Sequence, residues 1–161
     1  MKLVFEWRNQ DRVRVVSATR RLITYDEHQK WFEKIQADPK QVGLIFEMNS
    51  RPVGTIKFWD HDLQKNSVSW GFYLGYDDLP KGTGTIMGKY ALDYAFFKME
   101  VGQVDAEVFV TNPRSIAYHE KLGFMEHSRA PKEIDIGGSE ELISYTLPKK
   151  IWNERRKNFH E

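Results

Sequence analysis

Cysteine is absent from the 161 residues. That excludes disulfides, thiolate catalysis and cysteine-ligated zinc. No sign of charge dominates, since 24 basic and 23 acidic side chains leave a formal charge of +1. Near-neutrality argues against nucleic acid or an anionic membrane as the main partner. Long apolar runs and a signal-like N-terminus are missing, so the expected location is cytoplasmic. Repeats, low-complexity segments and interdomain linkers are missing as well. The length then suits a single domain over residues 1–161, with a charged tail over 149–161 that is helical in part.

What is abundant is aromatic, at 14% with five tryptophans. Chemistry concentrates between residues 79 and 124. Lys81-Gly82-Thr83-Gly84-Thr85 runs into a segment where Met87, Tyr90, Ala91, Tyr94 and Phe97 recur at helical spacing. First-turn N–H groups of a helix lack intrahelical acceptors, and the helix dipole favours negative charge there, so this loop suits a phosphate. A Gly-x-Gly before a helix is equally a plain tight turn. A phosphate-binding kinase loop is excluded, because Thr85-Ile86 follows Gly84 where Lys-Ser or Lys-Thr is needed. Val104 to Thr111 alternates as a strand, and Asn112-Pro113 offers an N-cap and a first-position proline. The helix that follows carries Ile116, Ala117 and Glu120 and ends at Gly123.

Elsewhere, Lys2 to Phe5 reads as a short, edge-like strand, and a helix runs through Arg12, Val13, Val15 and Val16. Thr24-Tyr-Asp-Glu27 is a capping box opening a helix over Tyr25 to Ala37, with Trp31, Phe32 and Ile35 as its apolar face. Val42 to Met48, Val53 to Asp60 and Ser67 to Leu74 form an antiparallel meander, separated by turns at 49–52 and 61–66. Met125 to Ile136 and Glu141 to Leu147 flank Gly137-Gly138 as a hairpin.

The run Asn112-Pro-Arg-Ser-Ile-Ala-Tyr-His-Glu-Lys-Leu-Gly-Phe124 resembles the second acetyl-CoA motif of the GNAT N-acetyltransferases, Asn followed by Tyr-Glu-Lys-Leu-Gly-Phe. The Gly82-Thr83-Gly84 loop stands where that family keeps its pyrophosphate loop, one strand and one helix upstream. The resemblance implies an α/β (α+β) fold with a mixed sheet of about seven strands and flanking helices. The fourth and fifth strands, Ser67 to Leu74 and Val104 to Thr111, would splay to admit acetyl-CoA. It implies acetyl-CoA as cosubstrate, no metal, and direct transfer to a primary amine. Lys81 to Thr85 and Asn112 would hold the cofactor, and a backbone N–H near Tyr73 or Leu74 would polarise the thioester carbonyl. Glu107 would be the general base, unless it is only an exposed strand carboxylate, with Ser69 a second candidate for holding the catalytic water. His119 stands where the family has its acid tyrosine. Tyr118, one position earlier, is the alternative, since neighbours on a helix point about 100° apart. Leu79 is a further departure, where the family loop begins with Arg or Gln.

Glu6-Trp7-Arg8-Asn9, Glu27-His28 with Trp31-Phe32, Trp70-Gly71-Phe72-Tyr73-Leu74 and Ser144-Tyr145 to Trp152 look like the N-acetyltransferases of pseudaminic acid biosynthesis. Those enzymes acetylate the 4-amino group of a UDP-linked 4-amino-4,6-dideoxy sugar. The acceptor would then be a small amino-sugar nucleotide, met by Arg8 and His28 and stacked on Trp59, Trp70 and Tyr73. Trp7 and Trp31 read as core, His28 equally as a surface residue, and Arg20 and Arg21 as solvated. A homodimer is compatible with this reading. Rival acceptors are a protein N-terminus or an antibiotic amine, and a rival class is a non-catalytic acyl-CoA-binding module.

Overall fold

The computed structural model describes residues 1–159 and shows a mixed sheet with helices on both faces. Six strands run in the order β1-β2-β3-β4-β6-β5. They are β1 (Val42–Met48), β2 (Arg51–Asp62), β3 (Ser67–Leu74), β4 (Gln103–Phe109), β5 (Met125–Glu133) and β6 (Ser139–Pro148). Neighbours pair antiparallel except β3 with β4, which are parallel. The helices are α1 (Lys2–Arg8), α2 (Asp11–Arg14), α3 (Tyr25–Ala37), α4 (Thr83–Asp93), α5 (Pro113–Leu122) and α6 (Lys149–Arg155).

The expected seventh strand is not a strand. Lys2 to Phe5 lies in α1, where Leu3 and Trp7, four residues apart, share the inward face and Trp7 is fully buried. The helix expected through Val16 is a single turn, with only Val13 buried. The capping box forms as read: Thr24 accepts from the Glu27 N–H, and the Glu27 carboxylate accepts from the Thr24 N–H. The buried residues of α3 are His28 and Ile35, so Trp31 leaves the expected core and stands 39% exposed.

On α4 the buried stripe is Met87–Ala91 and Gly88–Leu92, continued by Ala95 and Phe96. Tyr90 and Phe97, expected on that face, are exposed. A π-helical turn over Tyr94–Lys98 rotates the end of the helix. The core lies between α4, α5 and one sheet face, and includes Phe58, Val68, Val104, Leu122, Tyr145 and Leu147. The tail contributes Trp152, fully buried on α6, with its indole N–H donating to Asp93. His160 and Glu161, the last residues of the expected tail, lie outside the described residues. Among the described residues no helix is long and apolar enough to cross a membrane.

Candidate active site at the strand fork

Strands β3 and β4 pair only at Ser67–Gln103, Val68–Val104 and Ser69–Asp105. Beyond that point β3 follows β2 and β4 follows β6 along their whole length, so the two diverge. Residues 70–74 of β3 are left without a β4 partner. A cavity opens on each sheet face beside this fork, of about 660 Å³ on the α4–α5 side and about 690 Å³ on the α1–α3 side. Gly71, Phe72, Tyr73, Glu107 and Phe109 line both, so the cavities meet at the fork.

The first cavity is lined by Leu74, Lys81, Gly82, Thr83, Gly84, Thr85 and Asn112. Gly82 caps α4 in the left-handed region at φ 93°, and nothing lies within 4 Å of where a Cβ would stand. The Thr83 N–H is taken by Pro80 O, while Ile86 N–H bonds back to Gly82 O. The N–H groups of Gly84 and Thr85 lack an intrahelical acceptor and border open space, which suits a phosphate. Asn112 spends its side-chain oxygen on the Ser115 N–H as the α5 cap. Leu79 lines this wall as well.

The second cavity gathers Arg8, His28, Trp59 and Tyr73 with Trp31 and Lys57. Arg8 Nη1 and His28 Nε2 are buried without a hydrogen-bond partner among the described residues. Burial lowers the pKa of both groups and that of Lys57. The Lys57 ammonium lies 5.2 Å and 5.4 Å from the ring centres of Trp31 and Trp59. The Tyr73 hydroxyl donates to Val4 O at 3.4 Å, and burial pushes it up to about 12.

Trp70, Tyr118 and His119 also line the first cavity, whereas Ser69 reaches neither. Ser69 pairs with Asp105 at the base of the fork. Trp70, expected beside Trp59 and Tyr73 as a stacking face for the acceptor, is 2% exposed and stacked on Phe124, and it borders the first cavity but not the second. Strand alternation explains it: Trp70 sits opposite Phe58 in register, whereas Trp59 sits opposite Ser69 on the other face. The Tyr118 hydroxyl donates to Gly84 O at 2.5 Å, and burial pushes its pKa up. His119 is 3% exposed, with Nε2 at 3.2 Å from the Trp70 indole N–H and Nδ1 at 2.8 Å from Ser115 O. Desolvation holds its pKa down to about 4.

Residues 1–125 match the acetyltransferase (GNAT) domain family. The chain belongs to this family. It is an acetyl-CoA-dependent N-acetyltransferase of the GNAT type. It is 24% identical over 124 residues to acetyltransferase PseH of Campylobacter jejuni, covering 77% of this chain and 76% of that one. A putative ribosomal N-acetyltransferase, YdaF of Bacillus subtilis, is 26% identical over 113 residues, 70% of this chain and 61% of that one. A crystal structure of spermidine N-acetyltransferase from Vibrio cholerae, in complex with CoA and spermine, superposes with a TM-score of 0.84. It covers 94% of this chain and 91% of that one at 16% identity, a likeness of fold.

The first cavity carries more basic than acidic side chains, the carboxylates being Asp77 and Glu107. Besides Lys81, it is lined by Arg12, Arg114 and Lys121, none of them singled out from the sequence. Arg114 and Lys121 are seven apart, two turns on one helix face, and that spacing was the available signal. Lys57 was likewise readable as the middle of Thr55-x-Lys57-x-Trp59, one strand face that lines the second cavity. Among the described residues no group of three or more His, Asp or Glu is placed to hold a metal.

Proposed function

We propose that this GNAT enzyme acetylates the 4-amino group of a UDP-linked 4-amino-4,6-dideoxy sugar, as in pseudaminic acid biosynthesis. The observation that carries the reading is the second cavity. Its cations are Arg8, Arg21, Lys57 and Lys132, against the carboxylates of Glu27 and Glu107. Glu27 is already held by Arg21 at 2.6 Å. Arg8, Lys57 and Lys132 then remain for an anionic ligand, and a diphosphate satisfies the buried Arg8 Nη1 with a charge-assisted hydrogen bond. Trp31 and Trp59 offer ring faces for a sugar or a base. A polyamine or aminoglycoside acceptor would instead be repelled by this lining.

In the proposed reaction the Gly84 and Thr85 N–H groups, with Lys81, Arg114 and Lys121, hold the cofactor phosphates. A backbone N–H near Tyr73 or Leu74, on the β3 edge that lacks a β4 partner, polarises the thioester carbonyl. Glu107, the one carboxylate lining both cavities, takes a proton from the acceptor ammonium through water. Transfer is direct, with no covalent enzyme intermediate.

The test is CoA release from acetyl-CoA with the UDP-4-amino sugar, spermidine, an N-terminal peptide and an aminoglycoside, each alone. Turnover confined to the sugar nucleotide is expected. Turnover only with a polyamine or peptide would leave the transfer chemistry standing and reject the acceptor.

A further inference from the structure

We propose that His119 is a positioning residue: a neutral imidazole that pins helix α5 to strand β3, while the departing sulfur receives its proton from the attacking nitrogen. The argument begins with hydrogen-bond chemistry. An indole N–H can only donate, so the His119 Nε2 that faces Trp70 Nε1 at 3.2 Å presents its lone pair. A backbone carbonyl can only accept, so Nδ1, 2.8 Å from Ser115 O, carries the proton. Both nitrogens are engaged and one tautomer satisfies both partners. A second proton on Nε2 would set one N–H against another.

The surroundings agree. The groups packed on the ring are Trp70 and Phe72 of β3, Tyr145 of β6, the following Phe124, and the neighbouring Tyr118 of α5. None carries charge near neutrality, so an imidazolium here would be buried without a counter-ion. Desolvation accordingly holds its pKa down to about 4, on the side of the neutral ring.

The contacts also say what the ring does. Trp70 precedes Gly71 to Leu74, the β3 wall of the fork, while Ser115 lies in the first turn of α5 beside Asn112. His119 therefore ties the two walls of the acetyl-CoA cavity together. The protons balance without an acid from α5. Of the three on the acceptor ammonium, one goes to Glu107 through water and one passes to sulfur as the C–S bond breaks. The third stays as the amide N–H.

The proposal rests on the acetyl-transfer chemistry of the fork but on no particular acceptor. Two measurements test it. Nitrogen-15 NMR of the wild-type imidazole is expected to show protonated Nδ1 and bare Nε2, unchanged between about pH 5.5 and 8. This arm needs no substrate, so it stands even if the sugar-nucleotide acceptor fails. For kinetics, whichever acceptor turns over is used with His119→Gln, whose side-chain oxygen can accept from Trp70 but has no acidic proton. His119→Gln is expected to keep kcat within about threefold, with an unchanged pH profile. An imidazole that titrates near pH 7 would overturn the proposal. So would a loss of kcat on the order of 100-fold or more with acetyl-CoA affinity intact, the signature of a lost general acid.

Discussion

The first cavity takes most of its lining from two segments, residues 70–87 and 107–121, with Arg12 to Ser17 beside them, and the second from short pieces scattered along the chain. Within it, Lys81 to Thr85 and Asn112 to Lys121 offer a helix N-terminus, backbone N–H groups and basic residues on one helix face. Arg8, His28, Lys57, Trp59 and Lys132 come from α1, α3, β2 and β5 and act through side chains. A backbone site of this kind tolerates exchange of its side chains, Leu79 included. A side-chain site can be rebuilt for another acceptor without disturbing the fold. The two meet where β3 and β4 part, with Val16 and Ser17 also lining both, and Glu107 is the carboxylate they share there.

The sharpest way to separate binding from chemistry is Glu107, which belongs to both cavities. Glu107→Gln is expected to lower kcat by about 10²–10⁴, while acetyl-CoA and acceptor binding measured by calorimetry stay near wild type. Full turnover in this variant would show that the carboxylate is an ordinary exposed strand residue.

The same contrast explains how much was legible in the sequence. The stretch from Gly82 to Phe124 could be read because its signals are local: glycine before a helix, Asn-Pro at a cap, Gly123 at the end. The second cavity could be read only in part. Alternation says that Trp59 and Trp70 each project from a strand, but not which face meets α4, and the two fall on opposite faces. Segments such as Lys2 to Phe5 are too short for periodicity to separate helix from strand. His119 shows a different limit. Its motif position suggested a proton donor, whereas a buried indole N–H from distant strand β3 and a carbonyl one turn back on its own helix decide its proton and its charge.

Lys57→Met tests the second cavity alone. It keeps the length of the stem between Trp31 and Trp59 and removes the charge. Losing one charge-assisted contact of about 1.5–3 kcal/mol should raise the KM for an anionic acceptor roughly 10- to 100-fold, with acetyl-CoA affinity unmoved. An unchanged KM would remove the main support for a phosphate-bearing acceptor. Gly88→Ala is the converse probe. A Cβ there would run into the Tyr118 hydroxyl, whose partner is Gly84 O in the phosphate-binding turn. Overpacking between α4 and α5 should cost about 1–3 kcal/mol of stability and weaken acetyl-CoA binding. Denaturant unfolding and calorimetry would show both, and loss of acceptor binding alone would contradict the assignment of this wall.

The smallest effect concerns the strap over the second cavity. Arg20 and Arg21 look solvated in the sequence, yet Arg20 makes a bidentate bridge to Glu140 at 2.7 Å, and Thr111 donates to the same carboxylate. Asp135 accepts from the backbone N–H groups of Arg20 and Arg21, so the α2–α3 loop is tied to the β5–β6 hairpin. The Arg20 hydrogen bond, followed by that of Thr111, lowers the Glu140 pKa from 4.5 to about 2. A carboxylate with a depressed folded-state pKa stabilises the fold above its unfolded value and loses that contribution as protons bind. The bridge should therefore act in full above about pH 4.5 and fade as the pH falls toward about 2. Because both partners keep some contact with solvent, the contribution is modest and weakens with salt. Glu140→Gln should lower Tm slightly at neutral pH and flatten the acid side of the Tm–pH curve, with the two curves converging at the lowest pH. Curves that remain parallel down to that pH would mean that the loop is held by Asp135 and by packing on Phe109, and that the ion pair only decorates it.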